Sequence, residues 1–249
     1  YALQLASRGL NLILVARRQE PLDATAREIR EHCDVQVTTH SADLTALDPE
    51  HGFDEIVAGR EVGMLVYNAG ATHGAGFLID SPLQNALGLV RLNCMGPLIL
   101  VHSLGSRMRD RGRGGIILMS SMSALGGGGY VATYAATKAF TLSLSEAVTG
   151  ELPWRSKIVV ATMNPPFTRT ALINDAGIPK DFIPFTISFK TIDEVVEQGY
   201  RAFKQGKLCT VPGWQNRALH LVMVRLLPRK AVSLVGRLTM RRWSDYVRI

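Results

Sequence analysis

Tyr134 and Lys138 stand four residues apart in Tyr-Ala-Ala-Thr-Lys, at the start of a stretch with helical spacing, so both side chains fall on one helix face. That pairing has a chemical use. A phenol ordinarily titrates near pH 10, and a neighbouring ammonium favours its phenolate by Coulomb attraction, moving it toward the range where it exchanges a proton with a substrate oxygen. The spacing by itself does not separate this use from an exposed Tyr and Lys on a helix; the surroundings do more. Ser120 and Ser121 close an apolar run and are followed by the glycines of SSMSALGGGGY, which puts hydroxyls at the carboxyl edge of a parallel sheet, where ligands bind. Asn68, Ala69 and Gly70 close a second run at the same edge. Asn93 falls inside the following helix, where a buried amide needs a partner.

The elements that must position these residues alternate between short β-branched runs and longer amphipathic stretches, the pattern of parallel strands joined by crossover helices. Strands are expected at 11–18, 34–42, 63–70, 115–121, 157–166 and 207–213, each read as buried on both faces because its apolar run is continuous. Helices are expected at 21–32, 48–60, 83–111, 133–152 and 192–205. The fold class is therefore α/β, a Rossmann-like doubly wound parallel sheet in three layers, with one domain over 1–213 and a helical extension over 214–249. A chain of 249 residues that is 47% hydrophobic can bury such a core. The segment 172–190, rich in Phe and Ile among prolines, fits neither element and reads as a lid or binding loop over an apolar small-molecule substrate.

Taken together, Ser121, Tyr-x-x-x-Lys at 134–138, the strand-ending Asn68-Ala69-Gly70 and the helical Asn93 resemble the short-chain dehydrogenase/reductase family, in order and in spacing. The resemblance covers residues 1 to about 213. It implies an oxidoreductase that interconverts a ketone and a secondary alcohol with a nicotinamide cofactor, on a lipid-, steroid- or acyl-like body. In that family Tyr134 would be the general acid or base, and Lys138 would depress its pKa and hold the nicotinamide ribose. Ser121 would bond the substrate oxygen, and Asn93 would anchor a water on the proton path to Lys138; Ser120 and Ser123 would be bystanders. Asn68, Ala69 and Gly70 would pack along the adenosine ribose, Asp43 with Leu44 beside it would meet the adenine, and Pro165, Thr168 and Thr170 would approach the nicotinamide and phosphates. Where an acid would select NAD(H), the strand ends in Ala16 followed by Arg17 and Arg18, whose guanidinium groups suit a phosphate dianion; NADP(H) is favoured. Two positions depart from the family's pattern. Its Asn-Asn-Ala-Gly reads Tyr67-Asn68-Ala69-Gly70, and its Pro-Gly reads Pro165-Pro166, which fixes φ and removes an amide hydrogen. The rival class is a catalytically idle, cofactor-binding scaffold or regulator.

Before Tyr1 the family would place a central strand and a Thr-Gly-x-x-x-Gly-x-Gly turn, so the expectation is a chain lacking on the order of 15 to 20 residues, with a gap in mid-sheet. Charge is uneven. Net charge is +7, and residues 217–249 hold eight Arg and Lys against the single Asp245, so the whole surplus lies there. That argues against nucleic acid as a partner. Leu219, Val222, Met223 and Leu226, then Val232, Val235 and Leu238 beyond Pro228, recur at helical spacing with arginines between them. Two readings stand: a peripheral contact with an anionic membrane surface, or a helical pair covering the pocket or a subunit interface. Cys33, Cys94 and Cys209 are odd in number and show no metal-ligand spacing, so no metal is expected and reduced thiols in a cytoplasmic protein are. A homodimer or homotetramer is what the family implies.

Overall fold

In a computed structural model the described residues are 1–51, 53–153, 155–168 and 190–247, the last six by their helical backbone alone. The β-branched runs form six parallel strands: β1 (Leu12–Ala16), β2 (Val37–Ser41), β3 (Met64–Tyr67), β4 (Arg113–Met119), β5 (Lys157–Met163) and β6 (Cys209–Thr210). β1 pairs with β2, Leu12 opposite Val37, and a second sheet runs in the order β3-β4-β5-β6, with Leu65 opposite Ile116 and Ile116 opposite Val160. No ladder joins β1 to β3 among the described residues. Side chains link the sheets instead, Val15 reaching the cluster of Leu65, Tyr67 and Ile116.

The helices are α1 (Ala2–Ala6), α2 (Gln19–His32), α3 (Asp54–Val57), α4 (Leu83–Val90), α5 (Gly96–Arg111), α6 (Ala132–Glu151), α7 (Ile192–Lys204), α8 (Trp214–Leu221) and α9 (Arg229–Val247). They lie on both faces of the larger sheet. Leu100, Leu104 and Met108 of α5, with Leu144 and Val148 of α6, pack on Ile116, Leu118, Ile158 and Val160; on the other face Val195 and Phe203 of α7 meet Ile117 and Met163. Ile116, Ile117 and Leu118 are each at most 1% exposed, as a central strand's continuous apolar run demands.

Three expectations change. β1 and β2 are not buried on both faces: every residue of β1 is half-buried, because β2 is its one ladder partner among the described residues. The helix expected over 48–60 shrinks to α3, because the Asp48 carboxylate accepts from the amides of Glu50 and His51 and holds a turn, while Ala58 and Gly59 at φ +47° and +73° stop the helix. The helix expected over 83–111 is continuous, but a π-turn at Arg91–Met95 separates α4 from α5. That whole run is long and apolar enough to cross a membrane by composition, yet half of its most apolar window is buried in this protein. Downstream, Thr191 and Glu194 form a capping box that starts α7 where the pattern places it.

Candidate active site

Lys138 is the centre of the site. It lies on α6, 6% exposed, and its Nζ donates to the Met119 carbonyl at the end of β4 over 2.8 Å. Burial lowers its pKa to about 8. The ammonium abuts Gly70, where a Cβ would stand 3.1 Å from Nζ and 3.5 Å from Asn93 Oδ1, so the loop after β3 approaches this closely only with glycine. One turn earlier on α6, Tyr134 is half-buried, and the Lys138 Nζ lies 5.7 Å from its ring centre. Burial pushes the phenol above its ordinary value, and a hydrogen bond with the Ser121 side chain draws it partly back. The sequence led us to expect the ammonium's pull to dominate; here burial is the largest influence, and it keeps the phenol protonated.

Ser121 follows β4 and starts a short 3-10 turn, Met122–Leu125, its Oγ accepting from the Ser123 amide at 3.2 Å. Ser120 points the other way. It is 3% exposed and donates to the Lys138 carbonyl at 2.7 Å, tying β4 to α6. Asn93 sits in the π-turn, 1% exposed; its Nδ2 donates to Thr137 Oγ1 at 3.0 Å and to the Ala71 carbonyl at 3.3 Å, and its Oδ1 accepts from the Ala71 amide at 3.3 Å. Asn93, Ser121, Tyr134 and Lys138 thus converge from the π-turn, the end of β4 and the start of α6.

The other expected positions scatter around this centre. Asn68 is exposed, whereas Ala69 packs against the main core. Leu44 also packs on that core, and Asp43 accepts from the Thr45 amide and hydroxyl at 2.9 and 2.8 Å, which lowers its pKa, with the Arg17 charge adding a smaller share. Arg17 and Arg18 leave the end of β1 exposed, and neither forms an ion pair among the described residues. Pro165 accepts from the Met122 amide at 3.1 Å, and Thr168 Oγ1 donates to the Pro166 carbonyl at 3.0 Å. Thr170 and the expected lid at 172–189 lie outside the described residues.

The apolar residues around Tyr134 escaped the sequence reading. Tyr130 adopts φ +67°, a left-handed conformation that is rare for a bulky residue, and its carbonyl accepts from the Gly76 amide at 2.8 Å. Its ring stacks at a tilt on Phe77, centroids 5.1 Å apart, and joins Ala75, Val131, Phe167 and Met240 in an apolar cluster around Tyr134. The four glycines before it were the available signal of an unusual backbone. Met240 comes from α9, which lies on that glycine loop: a Cβ on Gly126 would collide with Val232, and a Cβ on Gly236 would stand 3.3 Å from the Gly127 carbonyl. Of the two readings of the C-terminal segment, the pocket-side contact is present for the inner face of α9. Its outer face still carries Leu234 and Leu238, 54% and 58% exposed, with the exposed Arg241.

The family model for short chain dehydrogenases matches residues 1–181. A very-long-chain 3-oxoacyl-CoA reductase of Coprinopsis cinerea is 33% identical over 175 residues, covering 69% of this chain and 51% of that protein, so this chain spans about half the length of that relative. A 7beta-hydroxysteroid dehydrogenase of Collinsella aerofaciens is 28% identical, with 86% of this chain and 81% of that protein covered. Among solved structures, a short-chain dehydrogenase from Sphingobium yanoikuyae in complex with NADPH superposes with a TM-score of 0.77 at 29% identity, covering 88% of this chain and 84% of that one.

Proposed function

Since this chain belongs to the short-chain dehydrogenase/reductase family, we propose that it interconverts a ketone and a secondary alcohol with NADP(H), on an apolar substrate. One observation carries the reading: Tyr134, bonded to Ser121 and one helical turn from a buried Lys138, faces an apolar cluster. The residues present suit a nicotinamide cofactor. Among the described residues Lys138 Nζ makes one hydrogen bond of the three an ammonium can donate, which leaves donors for ribose hydroxyls, and Gly70 keeps a Cβ out of the space beside it. The cofactor supplies or accepts a hydride at the substrate carbon. This chain's own residues handle the oxygen: Ser121 holds it, and the Tyr134 phenol, kept protonated by burial, donates its proton as a carbonyl becomes an alcohol. Asn93 and Lys138 lie on the path that returns a proton to Tyr134.

Arg17 and Arg18, exposed and without ion pairs among the described residues, support NADP(H) over NAD(H). The relatives named above act, by their names, on 3-oxoacyl-CoA and on a hydroxysteroid, and the ring of Tyr130, Phe167 and Met240 around Tyr134 suits a body of that polarity. Leu83, Leu87, Val90 and Met95 of the helical run, with Phe140 of α6, are apolar yet between 37% and 67% exposed, which supports burial against a second copy. The outward apolar and basic face of α8 and α9 supports contact with an anionic lipid surface.

The test is NADPH oxidation across a panel of apolar ketones, with Tyr134→Phe as control. Turnover that vanishes in the variant supports the reading; NADPH binding with no turnover of any ketone favours the idle scaffold. For the surface contact, co-sedimentation with anionic and neutral vesicles compares the protein with Leu234→Gln/Leu238→Gln. Equal binding by both forms sinks it.

A further inference from the structure

The π-turn that carries Asn93 has a local cause. Pro97 lacks an amide hydrogen, so it cannot serve the carbonyl of Asn93 four residues back or of Leu92 five back. The Gly96 amide goes to Arg91, which leaves Leu92 without a helical donor from either residue. A buried carbonyl in that position needs a partner from elsewhere. It has one: Tyr67 Oη, at the end of β3, donates to the Leu92 carbonyl over 2.6 Å. The Thr141 hydroxyl on α6 lies 3.2 Å from the Asn93 carbonyl and 3.1 Å from that of Thr137. Both side chains are buried, Tyr67 to 4% and Thr141 to 2% exposure. Burial holds the Tyr67 phenol well above its usual range, so it stays a donor. Gly96 completes the fit, because a Cβ there would collide with Tyr67 Oη.

Tyr67 is the position at which the chain departs from the family's Asn-Asn-Ala-Gly. We propose that Tyr67, seated against Gly96, is a positioning residue for Asn93: its hydroxyl holds the widened turn in the register that aims the Asn93 amide at Ala71 and Thr137, beside Gly70 and Lys138. Adjacent helical residues differ by about 100° around the axis, so a small slide of this turn swings the amide off those partners. The proposal rests on placing Asn93 on the proton path.

Tyr67→Phe removes the hydroxyl and keeps the ring. The expected result is a fall in kcat of about tenfold, the scale of one buried acceptor left unsatisfied, with KM for ketone and NADPH little changed. The kcat pH profile should shift as it does in Asn93→Ala. The double variant Tyr67→Phe/Asn93→Ala should be no slower than Asn93→Ala alone, since the two act as a unit. Independently of turnover, hydrogen exchange should show the Ala71 amide losing protection in both single variants. Thr141→Val, which removes the hydroxyl near the neighbouring carbonyl, should give the same signature and serves should Tyr67→Phe not fold. A Tyr67→Phe protein with wild-type kcat, pH profile and Ala71 protection would overturn the proposal, as would losses that add in full to those of Asn93→Ala. Retained turnover in Tyr134→Phe would instead overturn the oxidoreductase reading, so the two failures are distinguishable.

Discussion

The site centred on Lys138 and the two arginines that follow β1 have opposite surroundings. Asn93 and Lys138 are nearly sealed, and each is tied by hydrogen bonds to backbone or side chains from another element. Arg17 and Arg18 stand exposed just past the end of β1, a strand half-buried throughout. The contrast follows from the work each set performs. Moving a proton to a developing alkoxide requires groups preorganised where water is excluded, so that their electrostatic effects are large. Choosing between a phosphate and a hydroxyl requires charge that a ligand can reach, and a solvated guanidinium meets that need without the cost of burial.

That contrast can be broken from either side. The largest effect is expected at the sealed end: Tyr134→Phe should lower kcat by roughly 10² to 10⁴, the scale of a lost general acid, while circular dichroism and NADPH affinity stay close to the parent's. If the variant loses affinity as much as turnover, the residue is binding rather than transferring protons. At the exposed end, Arg17→Ala/Arg18→Ala should reduce the NADPH to NADH preference by about ten- to a hundredfold, one or two charge-assisted hydrogen bonds, with kcat on NADH unchanged. The shift should shrink as salt rises, because these groups are in solvent; a salt-independent ratio would contradict their placement.

A smaller effect separates the two regions by pH. Lys138 has its folded pKa lowered from 10.5 to about 8. Between those values the unfolded chain holds a proton that the folded chain has released, so this group's burial penalty is relieved and stability rises as pH rises through that window. The slope is at most about 1.4 kcal/mol per pH unit. Comparing the melting of the cofactor-free protein with Lys138→Met from pH 7.5 to 10 measures it, and parallel curves would contradict a buried ammonium. The smallest effect is expected at a surface carboxylate: Glu197→Gln, weakening its pairs with Arg201 at 3.4 Å and Arg8 at 3.7 Å, should cost about 1 kcal/mol or less.

Much of the fold is legible in the residue types. Five of the six strands fall within the expected runs and the fourth starts two residues early, at Arg113, while Pro228 and the Thr191 capping box mark helix boundaries where the pattern puts them, because local propensity and hydrophobic period are short-range properties. The helix expected over 48–60 was not legible: its length depended on an Asp48 turn and on positive φ at Ala58, which local apolar spacing does not report. The candidate site was legible as a set of residue types in order. Its apolar surround was not, since Ala75, Tyr130, Phe167 and Met240 come from separate stretches of the chain and meet only in the packed fold, Met240 being supplied by α9 where it rests on the glycine loop.

The amino-acid sequence alone determined the alternation of elements, the Ser121, Tyr134 and Lys138 set, the helical Asn93 and the basic surplus of residues 217–249, because each is a matter of residue type at a spacing. Tertiary structure decided which of these act on one another. Burial, rather than the ammonium's charge, dominates the Tyr134 phenol; Tyr67 finds the carbonyl that Pro97 leaves without a donor; and Ser120 turns away to tie β4 to α6. Desolvation and long-range hydrogen bonding depend on which surfaces meet, and that is a property of the packed chain rather than of any window of its sequence.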